Sequence, residues 1–527
     1  MLSTRFFGSG IAAACLVLCA LPVAAQSFKV QCPTATPSHP SDPANPAANP
    51  VGGRIKCQQI SGGDGFATMG DGTQTYLFGF GPLSGLKKMA SGLPGTDVQS
   101  EFNVDNTSGV DPIFIGAPVD QSNLDVSAYS FNGAIGLVPD PQSEPTPGAL
   151  TGHVDPRLIM DVGVMNANQP APLMAIDEDD EFFLTLTNVG QVMRPDLFEQ
   201  HTVHFHGYPN ASAFYDGVPD ASIAINIGGS FTYYYLAPDA GTYFWHCHIS
   251  PPEHLQMGMV GQIYVRPRQN RVATAGATAA QLLQSLEVSN SDAVRNPGAN
   301  GVTCSDILCT GQTPAPTAAG VAVAAGTKFA YNDGDGSTRY DVEYPIQIHG
   351  FDPNFHFVGM TFNPESFTDM KDKYFLLNGR SYPDTVAPGT MVTQSTDGTL
   401  HASQPLPSVI NIPVNGRALL RISDLDVTEY QTLASLGIPM RVVGLNARLL
   451  RDMAGNDMTY LTNSITLAGG ESLDVILDAT GYTAGQKFYL YTPNLDHLSN
   501  DAENFGGLMT EVNVCTAVDP STKACSL

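Results

Sequence analysis

Positive charge is scarce in this chain. Its 527 residues hold 24 Lys and Arg against 50 Asp and Glu, a formal net charge of −26. That balance argues against nucleic acid and anionic membranes as partners, since both require cations to meet phosphate. It suits a metal-ion substrate, although solubility of an exported protein explains it equally well. Charged residues of either sign make up only 14%, and no long amphipathic helical pattern is present. After residue 25 no stretch approaches the roughly 18–20 apolar residues that a membrane-spanning helix requires, so no membrane span is expected. What the chain does have is glycine (52) and proline (39), which punctuate short β-strands. At this length several β domains are expected.

The N-terminus reads as a secretory signal peptide over residues 1–25: Arg5, an apolar run, then Leu21-Pro-Val-Ala-Ala25 with cleavage after Ala25. Cys15 and Cys19 lie inside it. The expected localisation is therefore secreted or periplasmic, where disulfides persist. Of the nine cysteines, two belong to the signal. Six of the others form three local couples, which makes 32–57, 304–309 and 515–525 the expected pairing among the fifteen possible. Cys247 is the odd one out.

Cys247 falls where the histidines concentrate. Six of the chain's 12 histidines lie within the 59 residues 201–259. The stretch opens His201-Thr-Val-His204-Phe-His206-Gly207 and closes with His246-Cys247-His248, His254, Met257 and Met259. A lone histidine is more often structural; six beside a cysteine require a cause. Successive side chains of a strand point to opposite faces. If 200–207 and 242–249 are extended, His204, His206, His246 and His248 share one face. Cys247 and His201 share the other, joined by His254 and a methionine from the next loop. A thiolate, two imidazoles and a weak thioether form the ligand set of a blue-copper electron-transfer site. Zinc also takes Cys/His sites but gives the paired His-x-His motifs no role. Copper is the better reading.

These motifs resemble the multicopper oxidases, whose copper-bearing cupredoxin domain carries His-x-x-His-x-His-Gly and His-Cys-His-x-x-x-His-x-x-x-Gly-Met. The resemblance covers about 100 residues closely. It implies His201, Cys247 and His254 as type 1 copper ligands with Met259 axial. Met259 is preferred to Met257 because it lies five residues beyond His254, after the glycine. His204 is implied as a type 2 ligand, and His206, His246 and His248 as type 3 ligands. His204, His206, His246 and His248 would then be catalytic. One departure stands out: Cys247 to His254 is seven residues where the family has five, closer to the looser spacing of copper nitrite reductases.

The implied fold is all-β, with tandem cupredoxin-like Greek-key β-sandwiches and an N-terminal β-rich extension. Residues 26–154 form a Pro/Gly-rich lead-in and extension, with strands such as 75–80 but no assignable chemistry. The copper-binding cupredoxin domain is expected over 155–268. Within it, 173–176 and 182–187 form the early strand pair, and 231–236 with 242–245 form a hairpin delivering His246, Cys247 and His248. A linker follows over 269–334, with a helical patch near 279–286. A second cupredoxin-like domain spans 335–515, and a tail 516–527.

The second domain lacks copper motifs. Tyr344 and Gln347 stand where two histidines would be, before His349, and 488–493 carries no His-x-His and no cysteine. The full trinuclear cluster of the family takes eight imidazoles, four from each of two domains, and only four are recognisable here. Irregular ligands could complete it, it could hold one or two coppers, or oxygen reduction could be lost. The resemblance implies a secreted copper-dependent oxidoreductase. It would pass single electrons from a phenol or metal ion (Mn(II), Fe(II) or Cu(I)) through a type 1 copper to a histidine-bound copper cluster that reduces oxygen. The alternatives are a non-catalytic copper-binding or electron-transfer protein and a copper nitrite reductase-like enzyme. Glu253 and Asp216 are candidates to guide a cation, against an ordinary role as solvated loop carboxylates. A homo-oligomer is a further expectation, with His349 or His401 of a neighbouring copy as foreign ligand, in a ring closed by heterologous contacts.

Overall fold

A computed structural model describes residues 53–102, 165–272 and 326–527, with Cys32 and a few neighbours up to His39. Inside these ranges 86–87, 90, 192, 195, 208–211, 238, 360–365, 395–399 and 453–454 are not described. The signal peptide, the 304–309 cysteine couple and the 279–286 helical patch lie outside the described residues. So does most of the linker.

Two β-sandwiches stand in tandem. One sheet of the first has the order Gln74–Pro82, Ile55–Thr68, Glu181–Gly190, Ser230–Leu236. The other has the order Met174–Asp177, Val260–Arg266, Gly241–His246, His204–Phe205. Alternation turns Ile60, Phe78, Phe80, Phe182, Leu184, Tyr233 and Tyr235 inward from the first sheet. They meet Phe205, Trp245, Ile263 and Val265 from the second in one buried core. Trp245, the chain's single tryptophan, lies flat against Gly261, where a Cβ would come within 2.6 Å of its ring.

Two expectations are corrected here. Residues 55–82 are not an extension to a domain that starts at 155; they supply two of the five strands of its first sheet, the fifth being the short Asp97–Val98 beside Ile55–Thr68. Ile55–Thr68 runs parallel to Glu181–Gly190, with Ile55 opposite Glu181, and antiparallel to Gln74–Pro82. The expected hairpin is instead an arch. Ser230–Leu236 pairs with Glu181–Gly190, whereas Gly241–His246 pairs with Val260–Arg266 in the opposite sheet. The connection crosses the sandwich edge, where the Ala237 amide donates to Asp180 O at 3.1 Å and the Asp179 amide to Ala237 O at 2.6 Å.

The second sandwich pairs Tyr374–Leu377, Val342–Phe351, Arg417–Asp424, Ser472–Asp478 and Met440–Leu445 in one sheet. Ile410–Pro413, Met509–Cys515, Lys487–Tyr491, Gln431–Leu436 and Ser464–Leu467 form the facing sheet. Aliphatic side chains from both fill its core. The sandwiches meet along the strand that ends in His246. Thr242 Oγ1 donates to Asp474 Oδ1 at 2.6 Å, Ser472 Oγ to Thr242 O at 2.6 Å, and Gln262 Nε2 to Arg421 O at 2.9 Å. Glu343 lies between Arg266 and Arg421, at 2.7 and 3.1 Å, and the Arg421 guanidinium sits over the Tyr264 ring.

Cys32–Cys57 and Cys515–Cys525 are disulfides, and Cys247 is free and buried. Among the described residues no helix is long and apolar enough to cross a membrane.

Candidate metal centres

Cys247 follows directly on the Gly241–His246 strand. Its amide donates to Met259 O at 3.1 Å, continuing the ladder with the returning chain. The extended backbone throws His246 to one side of the sheet and Cys247 to the other. Two side-chain clusters result.

On the thiolate side His201, Cys247 and His254 bring their ligand atoms within 4.8 Å of one another, all fully buried. The Thr202 amide donates to Cys247 Sγ at 3.4 Å, and His254 Nδ1 lies 3.3 Å from it. Burial alone would push the Cys247 thiol up; the adjacent His254 and His201 outweigh it and hold the thiol well below its ordinary range. His254 is pushed up to about 9, because Cys247 and Glu199 outweigh the burial that lowers it. Neither ring nitrogen of His201 has a hydrogen-bond partner. A buried, unsatisfied polar group costs about 1–3 kcal/mol, and a metal ion would satisfy these nitrogens. The donor set therefore fits a copper ion.

Met259 is tied to this set on both sides. Its amide donates to His254 O at 2.8 Å, and its methyl lies beside His201 under Gly62. The two residues by which the 247–254 spacing exceeds the family's are absorbed in a short helix, Pro251–Gln256, entered through Ser250 at a left-handed φ of 37°. The helix turns His254 inward. Phe78 packs against it, its ring meeting that of His254 edge-on at 5.1 Å.

On the imidazole side His204 stands opposite His246 in the ladder. His204 Nδ1 donates to Asp216 O at 2.7 Å and His246 Nδ1 to Cys247 O at 2.6 Å, which leaves each Nε2 unprotonated with its lone pair pointing into the cluster. His206 Nε2 lies 2.9 Å from His246 Nε2. The ligand atoms of His204, His206 and His246 all fall within 4.8 Å of one another. His248 joins through its ring, 5.1 Å from that of His204 and 5.5 Å from that of His246. Burial, then the neighbouring His204 and His248, lower His206 to about 4, so at neutral pH it is an uncharged donor.

The second sandwich of the same chain supplies the opposite wall. A cavity of about 450 Å3 opens between His206, His246 and Leu255 on one side and Asp426, Glu429 and Gly470 on the other. A Cβ on Gly470 would come within 3.0 Å of His206 Nδ1. In that wall Thr428 Oγ1 lies within hydrogen-bond reach of both Asp426 and Asp372. Burial, then the Asp426 charge, push Asp372 well above the usual carboxylate range.

The expectation that His349 of a neighbouring copy completes this face is overturned. His349 is buried, donates from Nε2 to Leu255 O at 3.0 Å, and lies 3.2 Å from Gln169 Nε2. The His401 side chain lies outside the described residues. Asp216 holds His204 through its carbonyl, with its carboxylate 3.6 Å away. Glu253 sits in the first turn of the ligand helix.

Sequence reasoning missed Gly62, Phe78, Glu199 and Gly470. A Cβ on Gly62 would stand 2.8 Å from the His201 ring. Glycines inside a strand pattern signal such close approach, and 62, 63 and 65 are glycines in a strand. Glu199 reaches within 3.7 Å of His254 Nε2 and is 29% exposed; nothing in its sequence context marks it.

Residues 152–270 match the family model of the multicopper oxidases. The laccase abr2 of Aspergillus fumigatus is 33% identical over 109 residues, 20% of this chain and 17% of that one. A copper-containing nitrite reductase of Rhizobium meliloti is 34% identical over 109 residues, 20% of this chain and 26% of that one. The chain thus spans only a minor part of the relatives it matches. A blue copper oxidase structure from Nitrosomonas europaea aligns with 66% of this chain and 78% of its own, at 20% identity and a TM-score of 0.42.

Proposed function

For a chain that belongs to the multicopper oxidase family, we propose the function of an exported copper-dependent oxidase. It takes single electrons from a small reductant, a phenol or a metal ion, at the thiolate face and delivers them to oxygen at the imidazole face. The observation that carries this reading is the position of Cys247 between the two faces. His246 and His248 adjoin it in sequence, and its own carbonyl accepts the His246 Nδ1 proton at 2.6 Å. Donors on opposite faces of the sheet therefore share a path of covalent bonds shortened by one hydrogen bond.

Copper bound at both faces supplies reversible one-electron chemistry. The chain's own residues set its surroundings. Cys247, His201, His254 and Met259 are shut from water, so the environment is dry and its geometry held by packing. The Glu199 carboxylate, 29% exposed, reaches His254 Nε2 at 3.7 Å, which makes it a contact point for a reductant. Asp216 and Cys247 carbonyls fix the tautomers of His204 and His246. The disulfides Cys32–Cys57 and Cys515–Cys525 suit a secreted or periplasmic compartment.

Oxygen uptake by the copper-loaded protein with an artificial electron donor tests the reading. Wild type is expected to consume oxygen. His246→Ala/His248→Ala is expected to keep the thiolate-to-copper absorption and lose uptake. A double variant that still consumes oxygen would place reduction elsewhere.

A further inference from the structure

The histidines of this sequence are too few, and too committed, for the imidazole complement that the family resemblance implies. There are 12. Two serve the thiolate face and four the imidazole face, which leaves six. His39 Nδ1 lies 2.5 Å from Glu181 Oε2 in a buried pair. His349 donates to Leu255 O. His356 is held between the carbonyls of Tyr76 and Gln256. His497 stacks on Phe375 at 3.8 Å between centroids, with Asn494 at 2.8 Å and Gln431 at 3.0 Å. That leaves His153 and His401, whose side chains lie outside the described residues. His401 belongs to the Leu400–Gln404 strand, which packs on Ile55–Thr68 of the first sheet, while the imidazoles hang from the second. Four and two make six, short of eight. A second copy of the chain does not help, because it brings another imidazole face along with its spare histidines.

The local geometry is that of a smaller site. Among the described residues the wall facing His206 carries carboxylates, a hydroxyl and a phenol but no imidazole: Asp426, Thr428, Glu429, Tyr430 and Gly470. Two nitrogens on one ion, with bonds of about 2.0 Å at right angles, stand about 2.8 Å apart. His206 Nε2 and His246 Nε2 stand 2.9 Å apart, and His204 completes a three-imidazole set.

We infer that the imidazole face holds a single copper ion, on His204, His206 and His246, so that the chain carries two coppers, one per face. This rests on the reading of both faces as copper sites. His248 lies outside the three-imidazole set. The second sandwich closes the site within the same chain, and its described residues add no imidazole.

The test is a metal and spin count on the full chain, loaded with copper(II) sulfate, oxidised, and freed of loose metal by gel filtration. The expected result is two coppers per chain by mass spectrometry, in any oligomeric state, with the integrated electron-spin signal equal to total copper. Three or more coppers per chain overturns the inference. So does a spin count below total copper, since that shows a coupled pair. His206→Ala should leave one copper and the thiolate-to-copper band. His153→Ala/His401→Ala should leave two; a fall to one would show a further imidazole in the site and overturn it. The count does not depend on turnover. Two coppers without oxygen uptake would sink the oxidase proposal and leave this inference standing.

Discussion

At Cys247 a single side chain is asked to be an anion in a fully buried site. Burial opposes that, and the His201 and His254 rings and the Thr202 amide favour it. Its substitution should therefore separate colour from fold. Cys247→Ser removes the thiolate but nearly preserves volume, and is expected to abolish the visible charge-transfer band of the copper-loaded protein. The unfolding midpoint of the metal-free protein should change little. A copper-loaded wild type with no such band would defeat the assignment outright. Met259→Leu should keep the band and raise the reduction potential, because the axial ligand tunes it; if Met257→Leu does so instead, the other methionine is the ligand. The donors themselves were legible in the sequence because metal binding concentrates rare side chains at fixed strand parity. Glu199 and Gly470 were not. A carboxylate near an imidazole and a glycine under one are ordinary in sequence, and only the fold brings them there.

Strands are where sequence reading fared unevenly, and the reason is physical. Period-two alternation reports which face of a strand is buried, not which strand lies beside it. Hence 231–236 and 242–245 were recognisable as strands, whereas the arch between them looked like a hairpin. Hence too the parallel pairing of Ile55–Thr68 with Glu181–Gly190, which spans more than 120 positions, left no local trace. The cost of missing that strand was functional, because it forms one wall of the thiolate site. Its Gly62 is a close-approach glycine: a Cβ would sit 2.8 Å from His201 Cδ2 and 3.5 Å from Met259 Cε. Gly62→Ala is expected to push the His201 ring or the strand aside. Overpacking of this kind costs about 1–3 kcal/mol. The variant should show a lower denaturation midpoint and an altered thiolate-to-copper band. An unchanged band would mean that the strand moves and the ligands do not.

At the scale of the whole molecule, two sandwiches must stay registered for the second to wall off the imidazole face of the first. Glu343 of the second is the ionic link, reaching Arg266 of the first while also holding the fully buried Arg421. Burial alone would raise its carboxyl. Arg266 and Arg421 reverse this and hold it far below the usual carboxylate range. A depressed folded-state pKa stabilises the fold above the unfolded value, near 4.3 for Glu. That contribution is lost as pH falls towards the folded value. The interface should therefore hold at full strength from neutral pH to about pH 4 and weaken only in stronger acid. Glu343→Gln keeps the shape but removes one of the two carboxylates at the buried Arg421 guanidinium, leaving Asp474 at 3.5 Å from Nη1. Breaking a buried pair outright costs about 3–5 kcal/mol, and the retained Asp474 reduces that cost. In guanidinium titrations the variant is expected to unfold earlier at pH 7 and to lose less stability than wild type between pH 4 and pH 2. A variant with the wild-type midpoint at pH 7 would show that backbone contacts such as Ser472 to Thr242 hold the sandwiches together without it.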